Sequence, residues 1–165
     1  MIACKKMVTS VSATTRHHRR LIIMTIWKTA VDLSQLAQRN AGTAAAHLGI
    51  EFTGVGADWL AARMPVDHRT MQPMGILHGG ASVLLAETLG SVASNLCVDT
   101  RTHYCVGLDI NANHIRAAKD GFVTGEVRPI HLGRSTHVWE IRIVDFSERL
   151  TCIARLTMSV LSRNF

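Results

Sequence analysis

One long run of small and apolar residues, QPMGILHGGASVLLAETLG at residues 72–90, decides the fold. The run continues to Leu96, and its apolar side chains cover nearly the whole circumference of a helix: Ala81, Val83, Leu84, Leu85, Ala86, Leu89, Val92, Ala93 and Leu96. A helix that is apolar on almost every side is expected to be enclosed by other structure. Residues 79–96 therefore predict one long central helix.

Segments with an apolar residue at every second position flank this helix and predict antiparallel strands. Residues 47–66 contain two extended runs, around Ile50–Thr53 and Trp59–Met64, and GVGAD joins them as in a hairpin. Four further runs follow at 104–115, 121–133, 137–145 and 149–161. Their short connections imply neighbouring strands. With a short leading helix at 32–39, capped by Asp32, the pattern indicates an α+β domain whose sheet wraps around one helix.

A carboxylate, Glu87, stands in the middle of the central helix, where an unpaired charge is costly. Ser91 lies one turn further on, and Gly80 lies about two turns back on roughly the same face. Gly79 and Gly80 remove side chains where the first N–H groups of the helix are unpaired. Such a helix start can bind a carbonyl oxygen that becomes negative as a nucleophile adds. Together with a carboxylate base, it supplies the parts needed for acyl transfer to water.

Other interpretations of these residues have to be weighed. A lone glutamate is more often partly exposed or paired with a neighbouring helix. His-Gly-Gly also occurs in esterases of the α/β-hydrolase type, but the sequence has no G-x-S-x-G motif and is short for that fold.

The net charge of +6 is unevenly distributed. Residues 1–23 carry five basic side chains and no acid, so the rest of the chain is nearly neutral. A misassigned start codon, an Arg- and Ser-rich targeting peptide and a nucleic-acid-binding arm could each explain this extension. We favour the first, with the domain at 24–165 and no nucleic-acid partner. Since no apolar run reaches 18 residues, we expect no membrane partner either.

Four isolated cysteines, Cys4, Cys97, Cys105 and Cys152, form no C-x-x-C pair. They indicate a reducing compartment, so we expect a cytoplasmic protein, and the last three are interpreted as small buried hydrophobes. The nine histidines form no metal-binding motif. We expect neither a metal nor a cofactor.

Five motifs carry a resemblance to a known family: IWK at 26–28, AHLGI at 46–50, MPVDHRTMQPMGILHGGASVLLAETLGSVA at 64–93, VGLDINANHIR at 106–116 and PIHLGRSTHVWEI at 129–141. The chain resembles the hotdog-fold acyl-CoA thioesterases, nearest to the group of 1,4-dihydroxy-2-naphthoyl-CoA thioesterase and the thioesterase that proofreads enterobactin synthesis. The resemblance implies an antiparallel sheet wrapped around one long helix. It also implies an acyl-CoA substrate and a homodimer, usually paired again into a homotetramer.

The resemblance also assigns catalytic residues. Glu87 matches the carboxylate that acts as general base, or as nucleophile through a mixed anhydride, and Gly79 matches the residue whose N–H polarises the thioester carbonyl. Gln72 and His78 match the side chains around that carbonyl, and Ser91 matches the hydroxyl beyond the carboxylate. In the family, the carboxylate and the N–H come from opposite subunits.

Further positions are expected to bind substrate: Gly80, Val92, His114, Arg116, His131, Gly133 and Arg134. Val92 stands where a close relative has methionine, and the loop CVDTRTHYC at 97–105 is one residue longer, so the acyl group stays open. The two arginines and His131 could contact coenzyme A phosphates or form a solvated face.

Simpler roles exist for three of these side chains. His78 could cap the helix, Gln72 could hold its loop, and His114 could be a core histidine on the face of Val106, Leu108 and Ile110. Two other functions also fit the fold: a hotdog hydratase or dehydratase, and a non-catalytic acyl-CoA-binding module. The familiar hydratase motifs are missing, and a binding module has no use for Glu87 and Ser91. We therefore predict hydrolysis of an aryl- or acyl-CoA to the free acid and CoA.

Overall fold

The computed structural model describes residues 25–163. The helices are α1 (Leu33–Asn40), α2 (Ala44–His47) and α3 (Gly79–Leu96). The strands are β1 (Glu51–Val55), β2 (Leu60–Pro65), β3 (Met71–Gln72), β4 (Ile76–Leu77), β5 (His103–His114), β6 (Phe122–Leu132), β7 (Thr136–Asp145) and β8 (Leu150–Ser162). The basic extension 1–23, including Cys4, lies outside the described residues.

An antiparallel sheet in the order β1-β2-β6-β7-β8-β5 packs against α3, and β3 pairs with β4 beside it. The helix contacts β2, β5, β6, β7 and β8, so the sheet curves around it. The largest fully buried side chains come from both layers: Leu60, Met64, Leu85, Leu89, Val123, Val127, Trp139, Ile141, Ile143, Leu156 and Met158. This confirms the predicted α+β fold with one central helix and a wrapped sheet.

Only one side of α3 is covered, and here the sequence prediction of an enclosed helix is wrong for a single chain. The covered side consists of Ala81, Ser82, Leu85, Ala86, Leu89, Gly90, Ala93 and Ser94. The other side stays partly exposed and includes Leu84, Glu87, Ser91, Val92, Asn95 and Leu96. One curved sheet covers only the face of a helix that is turned towards it. This partly exposed face is therefore available to a ligand or another chain.

The strands β5 and β6 are not neighbours, which corrects the expectation from their short connection. β5 pairs with β8 at the sheet edge, whereas β6 lies between β2 and β7. The link at 115–121 accepts hydrogen bonds from β4 and from the end of β2 instead. Leu77 N–H donates to Ala118 O at 2.8 Å, and Val66 N–H donates to Gly121 O at 2.9 Å. Seven extended residues span about 23 Å. Three inter-strand spacings amount to only about 14 Å, so a short link does not require adjacency.

A bulge in β5 changes which side chains face α3. The register with β8 shifts between Gly107 and Asp109. Beyond the shift, Ile110 packs against the core, while Val106 and Leu108 are 42% and 70% exposed. The expectation that His114 shares a face with Val106 and Leu108 is therefore wrong, because the bulge reverses the alternation.

A buried polar contact joins α3 to β7. The Trp139 indole N–H donates to Ser94 Oγ at 2.6 Å, and His137 Nδ1 lies 3.3 Å from the same oxygen. Burial lowers the pKa of His137, with His131 adding to the shift and the Gly133 carbonyl opposing it. The neutral imidazole is therefore the form that suits the folded protein.

Within residues 25–163, no helix is long and apolar enough to cross a membrane, and no cluster of His, Cys, Asp or Glu is placed to hold a metal ion. The three cysteines of this range are buried, as interpreted from the sequence. Burial raises the pKa of Cys97 to about 12 and that of Cys105 to about 11, so both are protonated thiols at neutral pH.

Candidate active site

The Glu87 carboxylate is held at the open side of α3 by one hydroxyl and one glycine. Ser91 Oγ donates to Glu87 Oε1 at 2.9 Å, as the one-turn spacing predicts. Gly107 of β5 lies directly against the carboxylate, since a Cβ added there would come within 2.5 Å of Oε1. The side chain is half-buried and has no cation partner among the described residues.

Asn95, which sequence reasoning missed, fastens β5 to the same face of α3. Its amide donates to Ser91 O at 2.9 Å and to Cys105 O at 3.1 Å, and its oxygen accepts from Cys105 N–H at 3.0 Å. These bonds fix the strand two residues before Gly107. Gly107 was also missed, although a glycine inside a strand pattern does signal a bulge or a close approach.

The start of α3 forms a second polar centre. His78 is the N-cap, as the simpler interpretation held, and its Nδ1 accepts from Gly80 N–H at 2.8 Å. The neutral ring then carries its proton on Nε2. Within residues 25–163 the Gly79 N–H has no acceptor. Gly79, and not Gly80, is therefore the N–H that can meet a ligand.

A cavity of about 340 Å³ opens beside Gly79, and Gln72, His114 and Arg116 line it. Gln72 Oε1 accepts from Met74 N–H at 2.7 Å, which leaves the amide N–H groups to donate. The His114 ring is exposed and rests against Gly79, where an added Cβ would lie 2.8 Å from Nε2. This places His114 outside the core, in contact with the helix start.

A larger cavity of about 610 Å³ opens along the other half of α3. Ser91 and Val92 form the wall nearest to Glu87, and Asn95 and Leu96 continue it. The opposite walls come from α1, β1 and the loop after α3. An apolar cavity that begins beside a held carboxylate is suited to the acyl part of a substrate.

One chain does not bring the two polar centres together. Gly79 and Glu87 are eight helical residues apart, which is about 12 Å along the axis. The basic residues are divided as well. Arg116 follows β5 at the sheet end where His114 pairs with Cys152, and its Nη1 donates to Leu150 O at 3.0 Å.

The hairpin between β6 and β7 carries the remaining predicted residues, His131, Gly133 and Arg134, at the opposite end of the sheet. There Thr136 pairs with Ser159 of β8, seven residues from Cys152. Gly133 N–H donates to Thr136 O at 2.9 Å and closes the turn. His131 and Arg134 are both exposed. Within one chain these side chains therefore cannot act together with Arg116.

Comparison with known proteins identifies the family of this chain. The sequence pattern of the thioesterase superfamily matches residues 74–152. The 1,4-dihydroxy-2-naphthoyl-CoA hydrolase of Escherichia coli is 49% identical over 136 residues, which cover 82% of this chain and 99% of that protein. The proofreading thioesterase EntH of Cronobacter turicensis is 50% identical over 137 residues, covering 82% and 98%.

A solved structure extends the likeness to three dimensions. A mutant of thioesterase PA1618 from Pseudomonas aeruginosa has a TM-score of 0.84 and 52% identity, covering 84% of this chain and 100% of that chain. The likeness therefore includes both the wrapped sheet and the long helix that carries Glu87. The chain belongs to the thioesterase superfamily and is a hotdog-fold thioester hydrolase.

Proposed function

We propose that this protein hydrolyses aryl- or acyl-CoA thioesters to the free acid and CoA at a site shared between two subunits. The observation that carries the proposal is the pair of half-sites. One holds the Glu87 carboxylate against Ser91 and Gly107, and the other presents the unpaired Gly79 N–H beside Gln72. Each half lacks what the other supplies.

The free edge of β5 is suited to join the halves. This strand is 12 residues long, it pairs with β8 alone among the described strands, and it exposes Val106 and Leu108. A long edge strand with exposed apolar side chains tends to pair with another strand. We therefore propose a homodimer through two antiparallel β5 strands, with a further pairing into a homotetramer.

We propose the register of this pairing that would bring the required groups together. A twofold axis midway between Gly107 and His114 sets Gly107 opposite the partner subunit's His114. Because Glu87 contacts Gly107 and His114 contacts Gly79, the carboxylate then approaches the partner subunit's Gly79. Catalysis would thus depend on dimerisation.

In the reaction we propose, the Gly79 N–H and the positive end of α3 stabilise the negative charge that develops on the thioester oxygen. The Gln72 amide and the His78 Nε2–H can also donate towards that oxygen. Glu87 acts by one of two routes. It removes a proton from water as the water oxygen bonds to the carbonyl carbon, or it bonds to that carbon itself and water then cleaves the anhydride. In both routes the C–S bond breaks and the thiolate of CoA takes up a proton.

The CoA phosphates are assigned to basic residues from both chains. Pairing two β5 strands in opposite directions brings the hairpin of one chain to the same sheet end as Arg116 of the other. Arg116, His131 and Arg134 would then meet the nucleotide, with Gly133 keeping the turn tight and Gly80 leaving room at the helix start. Val92 would contact the acyl group, because it lines the 610 Å³ cavity. The name of the Escherichia coli relative makes 1,4-dihydroxy-2-naphthoyl-CoA the first substrate to test.

The test is release of free thiol from a panel of aryl- and alkyl-CoA thioesters, measured beside hydration of an enoyl-CoA. We expect thiol release by the wild-type protein, and a loss of at least about a hundredfold in kcat for Glu87→Ala. Hydration without thiol release would favour the hydratase alternative. Binding of acyl-CoA without turnover would leave a binding module, and undiminished kcat in the variant would remove Glu87 from the mechanism.

A further inference from the structure

The 610 Å³ cavity along α3 has an apolar wall and several exposed basic side chains on its lining. Leu36, Phe52, Val92 and Leu96 contribute its apolar wall, and Ser91 lies at the end next to Glu87. The basic side chains Lys28, Arg39 and Arg101 also line it. Its volume lies within the range of small-molecule sites, about 300–1,000 Å³.

Two of the three cations have no counter-ion. Arg101 forms a salt bridge of 2.8 Å with Asp99, the single acid that lines the cavity. The side chains of Lys28 and Arg39 make no hydrogen bond or salt bridge within residues 25–163. The cavity therefore carries an excess of two positive charges.

The amide side chains of the wall already have partners. The Asn95 amide is occupied by Ser91 and Cys105, and Asn40 Nδ2 donates to Ile50 O at 3.2 Å. Lys28 is tied to the end of α3 through its backbone N–H, which donates to Leu96 O at 2.9 Å. Among the described charged groups of the wall, Lys28 and Arg39 are therefore the ones free to bind a molecule that enters past Ser91.

We propose that this cavity selects acyl groups that end in a carboxylate remote from the thioester. The apolar wall takes the body of such a group, and Arg39 and Lys28 pair with its terminal carboxylate. Arginine suits a carboxylate because its planar fork can donate two parallel hydrogen bonds. The Lys28 N–H is bonded to Leu96 O, nine residues beyond Glu87 on α3, so a carboxylate paired with Lys28 lies away from Glu87. This inference rests on the proposed hydrolase function and adds the chemical class of the acyl group.

Both cations also lie near the C-terminal ends of helices, where a positive charge interacts favourably with the helix dipole. This interaction is a structural alternative to substrate binding. Arg39 is in the last turn of α1, and the Lys28 N–H donates to Leu96 O at the C-terminal end of α3. That role predicts an effect on thermal stability alone. A substrate-binding role predicts an effect on the preference between neutral and carboxylated acyl groups, so the two roles can be separated.

The experiment compares kcat/KM for acyl-CoA pairs of equal chain length that differ only at the far end: hexanoyl with adipoyl, octanoyl with suberoyl, and decanoyl with sebacoyl. We expect the wild-type protein to prefer the carboxylated member of at least one pair by roughly tenfold or more. Arg39→Met and Lys28→Met keep most of the side-chain volume, and each should reduce this preference at least severalfold. Arg155→Met, on the outer face of β8 away from the cavity, is the matched control and should leave it unchanged.

The outcomes separate the two proposals. Equal hydrolysis of both members of every pair by the wild-type protein overturns this inference and leaves the hydrolase function standing. The same holds if the preference survives in Arg39→Met and Lys28→Met, or falls equally in Arg155→Met. Absence of thiol release from all six thioesters and from aryl-CoA overturns the proposed function together with this inference.

Discussion

The Glu87 carboxylate rests against the backbone of Gly107, where any side chain would displace it. A Cβ at position 107 would come within 2.5 Å of Oε1 and 3.2 Å of the carboxyl carbon. The helix and the edge strand therefore form one side of the site together. Asn95 keeps them in register through its two bonds to the Cys105 backbone.

Gly107→Ala should lower kcat by about ten- to a hundredfold while leaving the protein folded. The added methyl group would rotate the carboxylate away from Ser91, and small errors in the position of a catalytic group are costly. Steady-state thiol release and thermal unfolding measure the two quantities. Because both substitutions act through one carboxylate, Gly107→Ala combined with Glu87→Gln should be little worse than Glu87→Gln alone. Wild-type kcat in Gly107→Ala would mean that the contact does not set the position of Glu87.

Mixing two inactive variants should restore activity if the site is shared. Glu87→Ala and Gln72→Ala damage different half-sites, so a mixed dimer contains one site with neither substitution. Random exchange of equal amounts should then give about one quarter of wild-type activity. The matched control is a mixture of the Glu87→Ala and Ser91→Ala variants. Both substitutions damage the same half-site, so this mixture should recover no activity. No recovery in the first mixture, with exchange verified by mass spectrometry, would place the whole site within one chain.

The regular elements were predictable because their patterns are local. The bounds of α3 and the four long strands follow from apolar periodicity, and Asp32 accepts from Ser34 N–H at 2.9 Å as an N-cap should. The pair of Glu87 and Ser91 was predictable for the same reason, since one helical turn sets their distance.

What escaped prediction depends on residues far apart in the chain. The bulge at Leu108 exists because β8 sets the register of β5, and that partner cannot be inferred from the alternation within β5. Likewise, Gly107 matters through Glu87, and Asn95 matters through Cys105. The role of each comes from packing a helix on a strand, which the local sequence does not encode.

Stability should fall as the pH is lowered, because burial lowers the pKa of His137 in the folded protein. Unfolded chains protonate this histidine near pH 6.5, whereas the folded state resists protonation. The stabilising contribution is therefore complete above about pH 6.5 and is lost progressively as the pH falls towards the folded pKa. Thermal unfolding between about pH 8 and pH 5 measures this.

The variant His137→Gln should weaken that pH dependence. It should also cost about 1–3 kcal/mol at pH 8, because the contact with Ser94 is disturbed. His47→Gln, which changes an exposed histidine on α2, is the control and should keep the wild-type slope. An unchanged slope in His137→Gln would assign the acid sensitivity to other groups, such as the buried Asp145 whose pKa is lowered by Arg149.

Arg134→Ala should raise KM for acyl-CoA by about five- to tenfold and raise it much less for a pantetheine thioester that lacks the nucleotide. Arg134 is exposed on the β6–β7 hairpin, and its planar fork suits a phosphate. The difference between the two substrates should shrink as salt is added, because exposed charges are screened. kcat should change less than KM, since the phosphates lie far from the bond that breaks.

The control is Arg142→Ala, which removes an exposed arginine in the middle of β7 and should affect the KM for both substrates alike. Equal effects of Arg134→Ala on the two substrates would show that this side chain lies away from the phosphates and belongs to the solvated surface.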